Sequence, residues 1–217
     1  MENDVKEFLS ELLKQLKSID YIKPEDIPNI DLYMDQVTTF MDEQLAASKR
    51  YESDKILTKT MINNYAKNNL LPSPDKKKYS KEHVLTLLFI YYFKNILSIN
   101  DIRSILNPLT EKYFGNDDGF TMQDVYTEVF SLEAEESKKL LKDLGKKYKI
   151  AGETFEDFPD EDQKFLHTFS FICMLSFDVY IKKMLIERMI DNLNEEEEAS
   201  SHENTHSGKE SKKTGSK

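Results

Sequence analysis

Apolar residues recur at helical spacing through most of the chain. Val5, Phe8, Leu9, Leu12, Leu13, Leu16 and Ile19 predict an amphipathic helix over 4–19, capped by Asn3 or Asp4. A loop punctuated by Pro24 and Pro28 follows. Tyr33, Val37, Phe40, Met41 and Leu45 then predict a helix from Asp31 to about Ser48. Ile62, Tyr65 and Ala66, with Met61 beside them, share one face of a shorter helix. Thr58 or Thr60 can cap its start, Asn69 suits the left-handed residue that ends it, and Pro72 and Pro74 forbid its resumption. From Lys81 to Asn95 the pattern is apolar nearly all round, which requires burial on several sides. Ser98 caps a helix through Leu106, and Asn107-Pro108 ends or kinks it. Leu109 to Phe120 reads as a connector.

The second half is also helical. Thr121 caps a helix to about Phe130, and Leu140, Leu141 and Leu144 belong to another over Ala134–Tyr148. Ala151 to Pro159 is a loop. The last helix runs from about Asp160 to Asn194, with apolar residues from Phe165 to Ile190. A helix this long and apolar needs cover from the preceding helices or from a second subunit. Glu195 to Lys217 is a polar tail without the apolar residues needed to order itself.

Composition narrows the class. Of 217 residues, 39% are hydrophobic and 32% charged, with six Gly, six Pro and no Trp, which favours a mainly α protein. The longest nearly unbroken apolar run, Val84 to Phe93, is too short for a membrane span, which needs about 20 residues. The amino terminus is acidic and amphipathic rather than a signal peptide, so a cytoplasmic location with no membrane association is expected. The single cysteine, Cys173, lies in an apolar run and reads as a buried structural thiol.

Charge changes the picture. The net charge is −10, yet 55–83 carries seven lysines against two acids. A basic island on an acidic chain points to a polyanion. On the short helix Lys59, Asn63, Asn64 and Lys67 fall mostly away from the apolar face. Asn can pair in bidentate fashion with adenine in the major groove, and Lys can neutralise phosphate. Lys76, Lys77, Lys78 and Lys81 follow in and beyond a turn suited to rest on phosphates. Taken alone, the lysine run reads as a solvated turn, and the order of helix, stop and basic turn is what favours a binding surface.

That order resembles the winged helix-turn-helix of MerR-type regulators. Their recognition-helix pattern is matched by Asn63-Asn64-Tyr65-Ala66-Lys67-Asn68-Asn69-Leu70-Leu71-Pro72, with Asn63 where the family has Arg and Asn69 where it has Gly. The basic-basic-Tyr-Ser motif at the end of the wing is matched by Lys77-Lys78-Tyr79-Ser80, and the next helix start by Ser98-Ile99-Asn100-Asp101-Ile102. The chain more specifically resembles a bacterial domain-of-unknown-function family, number 1836, built on such a module. The resemblance implies that 31–108 is a winged helix-turn-helix, preceded by the helix and loop of 1–30. A helical carboxy-terminal domain over 109–194 and the 195–217 tail follow. It also implies double-stranded DNA as the partner, and dimerisation through a long helix, for which Asp160–Asn194 is the candidate. An effector, a small molecule or a protein, would act at the carboxy-terminal domain. The link from Ala47 to Leu57 is longer than helix-turn-helix motifs usually have.

Nothing invites catalysis. There is no Gly-rich phosphate loop, Gly-x-Ser-x-Gly elbow or His-Glu-x-x-His, and His83 and His167 share no ligand spacing. Gly115 to Gly119 carries part of a calcium-loop pattern, but its first and last positions would be Phe114 and Val125, neither a carboxylate. No enzyme activity, cofactor or metal is therefore expected. Two readings of function lead: a sequence-specific DNA-binding transcriptional regulator, and a protein-interaction adaptor that keeps the helix-turn-helix fold without DNA; a third, a ligand-sequestering helical protein, needs a cavity among the aromatics of the last helix.

Overall fold

The computed structural model describes residues 22–116 and 119–210, together with Glu7, Ser10, Glu11 and Lys14. The amphipathic helix expected over 4–19 otherwise lies outside the described residues. The chain is mainly helical. After a 3-10 turn at Pro24–Asp26 come strand β1 (Leu32–Tyr33), helix α1 (Met34–Gln44) and a second 3-10 turn (Ala46–Ser48). Helix α2 (Lys59–Lys67), strand β2 (Lys78–Tyr79) and helices α3 (Lys81–Phe93), α4 (Ile99–Tyr113) and α5 (Met122–Ser131) follow. Helices α6 (Glu133–Gly152) and α7 (Asp160–Glu210) complete the order.

Helix α3 is the centre of the core, as its pattern predicts. Every residue from His83 to Tyr91 is buried. Val37 and Met41 of α1, Ile62 and Tyr65 of α2, Ile102 and Leu106 of α4, and Met122 and Tyr126 of α5 join them in one cluster. Covering an aliphatic side chain of this size contributes about 1.5–3 kcal/mol before entropy is charged against it. Polar anchors fix the edges: the Tyr126 hydroxyl donates to the Ile22 carbonyl at 2.8 Å.

Three predicted helix starts carry the expected caps. Thr58 Oγ1 accepts from Met61 N, Ser98 Oγ from Asp101 N and Thr121 Oγ1 from Asp124 N. Elsewhere the bounds shift. Helix α1 starts after Tyr33, not at Asp31, and stops at Gln44. The long link 45–58 is an ordered insertion. Ile56 and Leu57 are buried, Lys94 Nζ donates to the Ile56 carbonyl at 2.7 Å, and the Ser48 and Tyr91 hydroxyls bond each other.

Helix α4 runs through Pro108 to Tyr113, where an end or kink near Asn107 is expected from the sequence. Proline removes one backbone donor. Leu106 is fully buried and Leu109 packs partly against the core, so the apolar face continues across the proline and holds the helix together. Because Met122, Tyr126 and Ile190 belong to the same cluster as α3, the core extends across the 108/109 division drawn from sequence.

Helices α6 and α7 pack against each other. Tyr148 meets Phe171 edge to face at 5.4 Å, and Lys147 pairs with Asp143 and Asp178. Helix α7 continues to Glu210, through the first part of the stretch read as a tail. Cys173 is exposed on α7 rather than buried, because α6 covers only one side of that helix and the cysteine stands on another. No helix among the described residues is long and apolar enough to cross a membrane.

Candidate nucleic-acid interface

Helix α2 divides into a buried back and an open front. Ile62 and Tyr65 turn inward, and burial pushes the Tyr65 hydroxyl above its ordinary titration range. Lys59, Thr60, Asn63, Asn64 and Lys67 are exposed. At 100° per residue Thr60, Asn63, Asn64 and Lys67 occupy the opposite side of the helix, with Lys59 on its flank. All four residues expected to approach the major groove from this helix therefore share its solvent face. Its C-terminal end is closed locally: Asn68 Nδ2 donates to the Asn64 carbonyl at 2.8 Å, Asn69 takes φ 55°, and Leu70 N donates to the Tyr65 carbonyl at 2.9 Å. Buried Leu70 and Leu71 then pin the chain before Pro72.

The lysine run forms the tip of a hairpin. Asp75 and Lys78 pair antiparallel, and Lys78 N donates to the Asp75 carbonyl at 2.8 Å. The two residues between them, Lys76 at φ 46° and Lys77 at φ 67°, are both left-handed, the mark of a type I′ turn. Both are exposed, as is Lys78. Strand β2 then pairs with β1 in the register Leu32↔Tyr79 and Tyr33↔Lys78. Lys81, half-exposed, opens α3 directly after Ser80.

His83 anchors this corner. Its ring lies between those of Tyr79 and Phe114, and Nδ1 accepts from Ser80 N at 3.0 Å and faces Ser80 Oγ at 2.8 Å. Nε2 is buried without a well-formed hydrogen bond. Burial holds the imidazole below its ordinary range, partly offset by the nearby Ser73 and Pro72 backbone and the Asp31 carboxylate. Although it stands at the start of α3, His83 is not a surface residue. The apolar packing of Tyr79 and Phe114 encloses the ring.

Three neighbours of the surface lie outside the sequence-derived set. Arg103 on α4 donates from Nε to the Asn68 carbonyl at 2.9 Å, placing a guanidinium at the end of α2. Tyr33 is 55% exposed beside Lys78. Asp35 on α1 pairs with Lys59, so the front of α2 is not purely basic. Nothing local in the sequence signals these, since each partner comes from a separate element. Among the described residues there is no group of three or more His, Cys, Asp or Glu side chains that could hold a metal ion.

Residues 22–129 match the family described as Domain of unknown function (DUF1836). This span contains β1, β2, helices α1 to α4 and most of α5, and with them every candidate residue above. No curated protein and no solved structure matches the chain.

Proposed function

We propose that this chain, which carries a DUF1836 domain, is a sequence-specific regulator of transcription that binds double-stranded DNA. Helix α2 would enter the major groove and the 75–78 hairpin would rest on the phosphate backbone as a wing. Asn63 and Asn64 are the candidates for base edges, with Lys59 and Lys67 beside them. Lys76, Lys77, Lys78 and Lys81 are the candidates for phosphates. Arg103, at the end of α2, adds a cation on that side.

The observation that carries this reading is the hairpin tip. A type I′ turn favours Asn-Gly, because both central residues have positive φ. Here both are lysines. A side chain with a Cβ costs roughly 1–2 kcal/mol in the left-handed region. Strained residues of this kind concentrate at functional sites, and what this pair provides is two cations at an exposed tip. The order of recognition-type helix, basic hairpin and buried helix also resembles MerR-type regulators, from which the reading of α2 as the groove-reading helix follows.

The adaptor reading keeps one specific support. Asp35 occupies Lys59, and Asn63 stands where the MerR pattern has Arg. Selection from a random duplex DNA library, beside the Lys76/Lys77/Lys78→Ala variant, separates the two. The DNA reading expects an enriched motif, weaker binding by the variant, and a shallower dependence of affinity on salt as phosphate contacts are lost. Absence of enrichment even at low salt would turn the assignment to the adaptor.

A further inference from the structure

A cavity of about 280 Å³ lies between α2, α3 and α4. Met61 and Tyr65 of α2, Ile90 and Lys94 at the end of α3, and Ile99 and Ile102 of α4 line it. Ile90 and Ile102 belong to the core, whereas Ile99 is 48% exposed, so the cavity runs from the core to solvent. The turn between Phe93, where α3 ends, and Ile99, where α4 starts, sets Lys94 and Asn95 in an otherwise apolar wall.

Two polar groups in this wall lack partners that their burial calls for. Tyr65 is 7% exposed, and its hydroxyl has no hydrogen-bond partner among the described residues. Burying a hydroxyl unpaired is unfavourable, and the cavity is the space this ring borders. Lys94 is half-buried. Its Nζ donates to the Ile56 carbonyl at 2.7 Å and lies 4.9 Å from the centre of the Tyr91 ring. An ammonium has three donors, so these contacts do not exhaust it. Among the described residues no carboxylate pairs with Lys94, and burial pulls the amine below its ordinary range with nothing acidic to offset it.

We propose that this cavity binds a small carboxylate whose apolar body is a single ring or a short branched chain. The hydroxyl and the ammonium are both donors, which selects an acceptor, and the desolvated cation selects a negative one. The rest of the wall, closed by Leu70 and Leu97, selects hydrocarbon. Size limits the body. A cavity of about 150 Å³ takes one benzene, so this one holds a ring or branched chain with its carboxylate and little more. The site lies inside the 22–129 span, not at the carboxy-terminal domain where the MerR resemblance puts an effector. Because Met61 and Tyr65 form part of its wall, an occupant ties α2 to α3 and α4. The site stands whatever the front of α2 binds.

The test is an amide NMR titration of the full chain with benzoate and isovalerate, beside toluene and benzylamine as neutral and cationic probes of similar shape. At least one carboxylate is expected to bind about tenfold or more tightly than toluene or benzylamine, with shifts centred on Lys94, Asn95 and Leu97. Tyr65→Phe has no hydrogen bond to lose in the free protein and should weaken the carboxylate severalfold while leaving toluene unchanged. Lys94→Met keeps an apolar stem and should weaken the carboxylate about tenfold. Should loss of the Ile56 bond unfold that variant, Tyr65→Phe and Ile99→Trp still decide the matter. Ile99→Trp fills the cavity from an exposed position and should abolish binding of every probe with helical circular dichroism unchanged. Carboxylates that bind no better than toluene and benzylamine overturn the proposal. So does carboxylate binding that survives Ile99→Trp, which places the site elsewhere. Absence of binding by both carboxylates marks the cavity as a packing void and overturns it as well.

Discussion

Tyr33 and Lys78 face each other across the two-stranded sheet, and the lysine Nζ lies 5.7 Å from the centre of the tyrosine ring. One residue stands at the entrance to α1 and the other at the base of the lysine hairpin. The pair joins the lysine hairpin to the helix before α2, although 44 positions lie between them in the chain. Two residues per strand make a weak sheet by themselves, so this contact and the burial of Leu32 and Tyr79 hold the hairpin in place.

Replacing Tyr33 by Ala should lower stability by about 0.5–1 kcal/mol, the range of an exposed cation–π contact or a cross-strand pair. The Tyr33 N–H to Gln36 Oε1 bond at 2.8 Å is backbone-donated and stays in the variant. A double-mutant cycle with Lys78→Ala, measured by urea unfolding, should give a coupling of similar size. Strict additivity would show that the ring and the amine do not interact.

The hairpin tip separates stability from binding. Lys76→Asn with Lys77→Gly supplies residues that accept positive φ, so it should stabilise the fold by about 1 kcal/mol or more. The same change removes two cations and should weaken duplex binding and flatten its salt dependence. Thermal unfolding and DNA titration of one variant would therefore move in opposite directions. Unchanged duplex affinity would remove the tip from the interface.

Asp35 holds Lys59 in an ion pair, and under the proposed DNA reading it would compete with phosphate for that lysine. Both side chains are well exposed, 74% and 60%, so the ion pair adds little to stability. Asp35→Asn should change unfolding free energy by no more than about 0.5 kcal/mol. It should strengthen duplex binding severalfold at low salt, because it frees one cation and removes one repelling charge. An Asp35→Asn variant that binds duplex more weakly would place Asp35 in a positive role and count against the groove-reading face.

His83 makes stability depend on pH. The folded protein holds the ring neutral, with Nδ1 accepting from Ser80 N, while the unfolded chain takes up a proton near the ordinary value of 6.5. More protons are bound in the unfolded state, so stability falls as the pH falls. The contribution is complete above about 6.5 and is lost as the pH drops through the depressed folded value. Urea midpoints from about pH 8 to about pH 5 should decline in the wild type, and less steeply in His83→Phe.

What the sequence determined by itself was local. Hydroxyls before apolar runs set the starts at Ser98 and Thr121 and narrowed that of α2 to Thr58 or Thr60, because a cap needs only the amide three residues on. Asn69 before the prolines set the end of α2, and the nearly unbroken apolar run at Val84–Phe93 marked α3 as the core. The two faces of α2 were legible for the same reason, since helical spacing alone assigns them. Tertiary structure decided what depends on residues distant in the chain. Packing of Leu106 and Leu109 carried α4 through Pro108, and the Lys94 bond to Ile56 ordered a link that has no regular pattern. The fold brought Arg103 to Asn68 and Asp35 to Lys59, enclosed His83 between Tyr79 and Phe114, and left Cys173 in the open. A periodic pattern states that a face is apolar, but only the arrangement of the other helices determines whether that face is already filled.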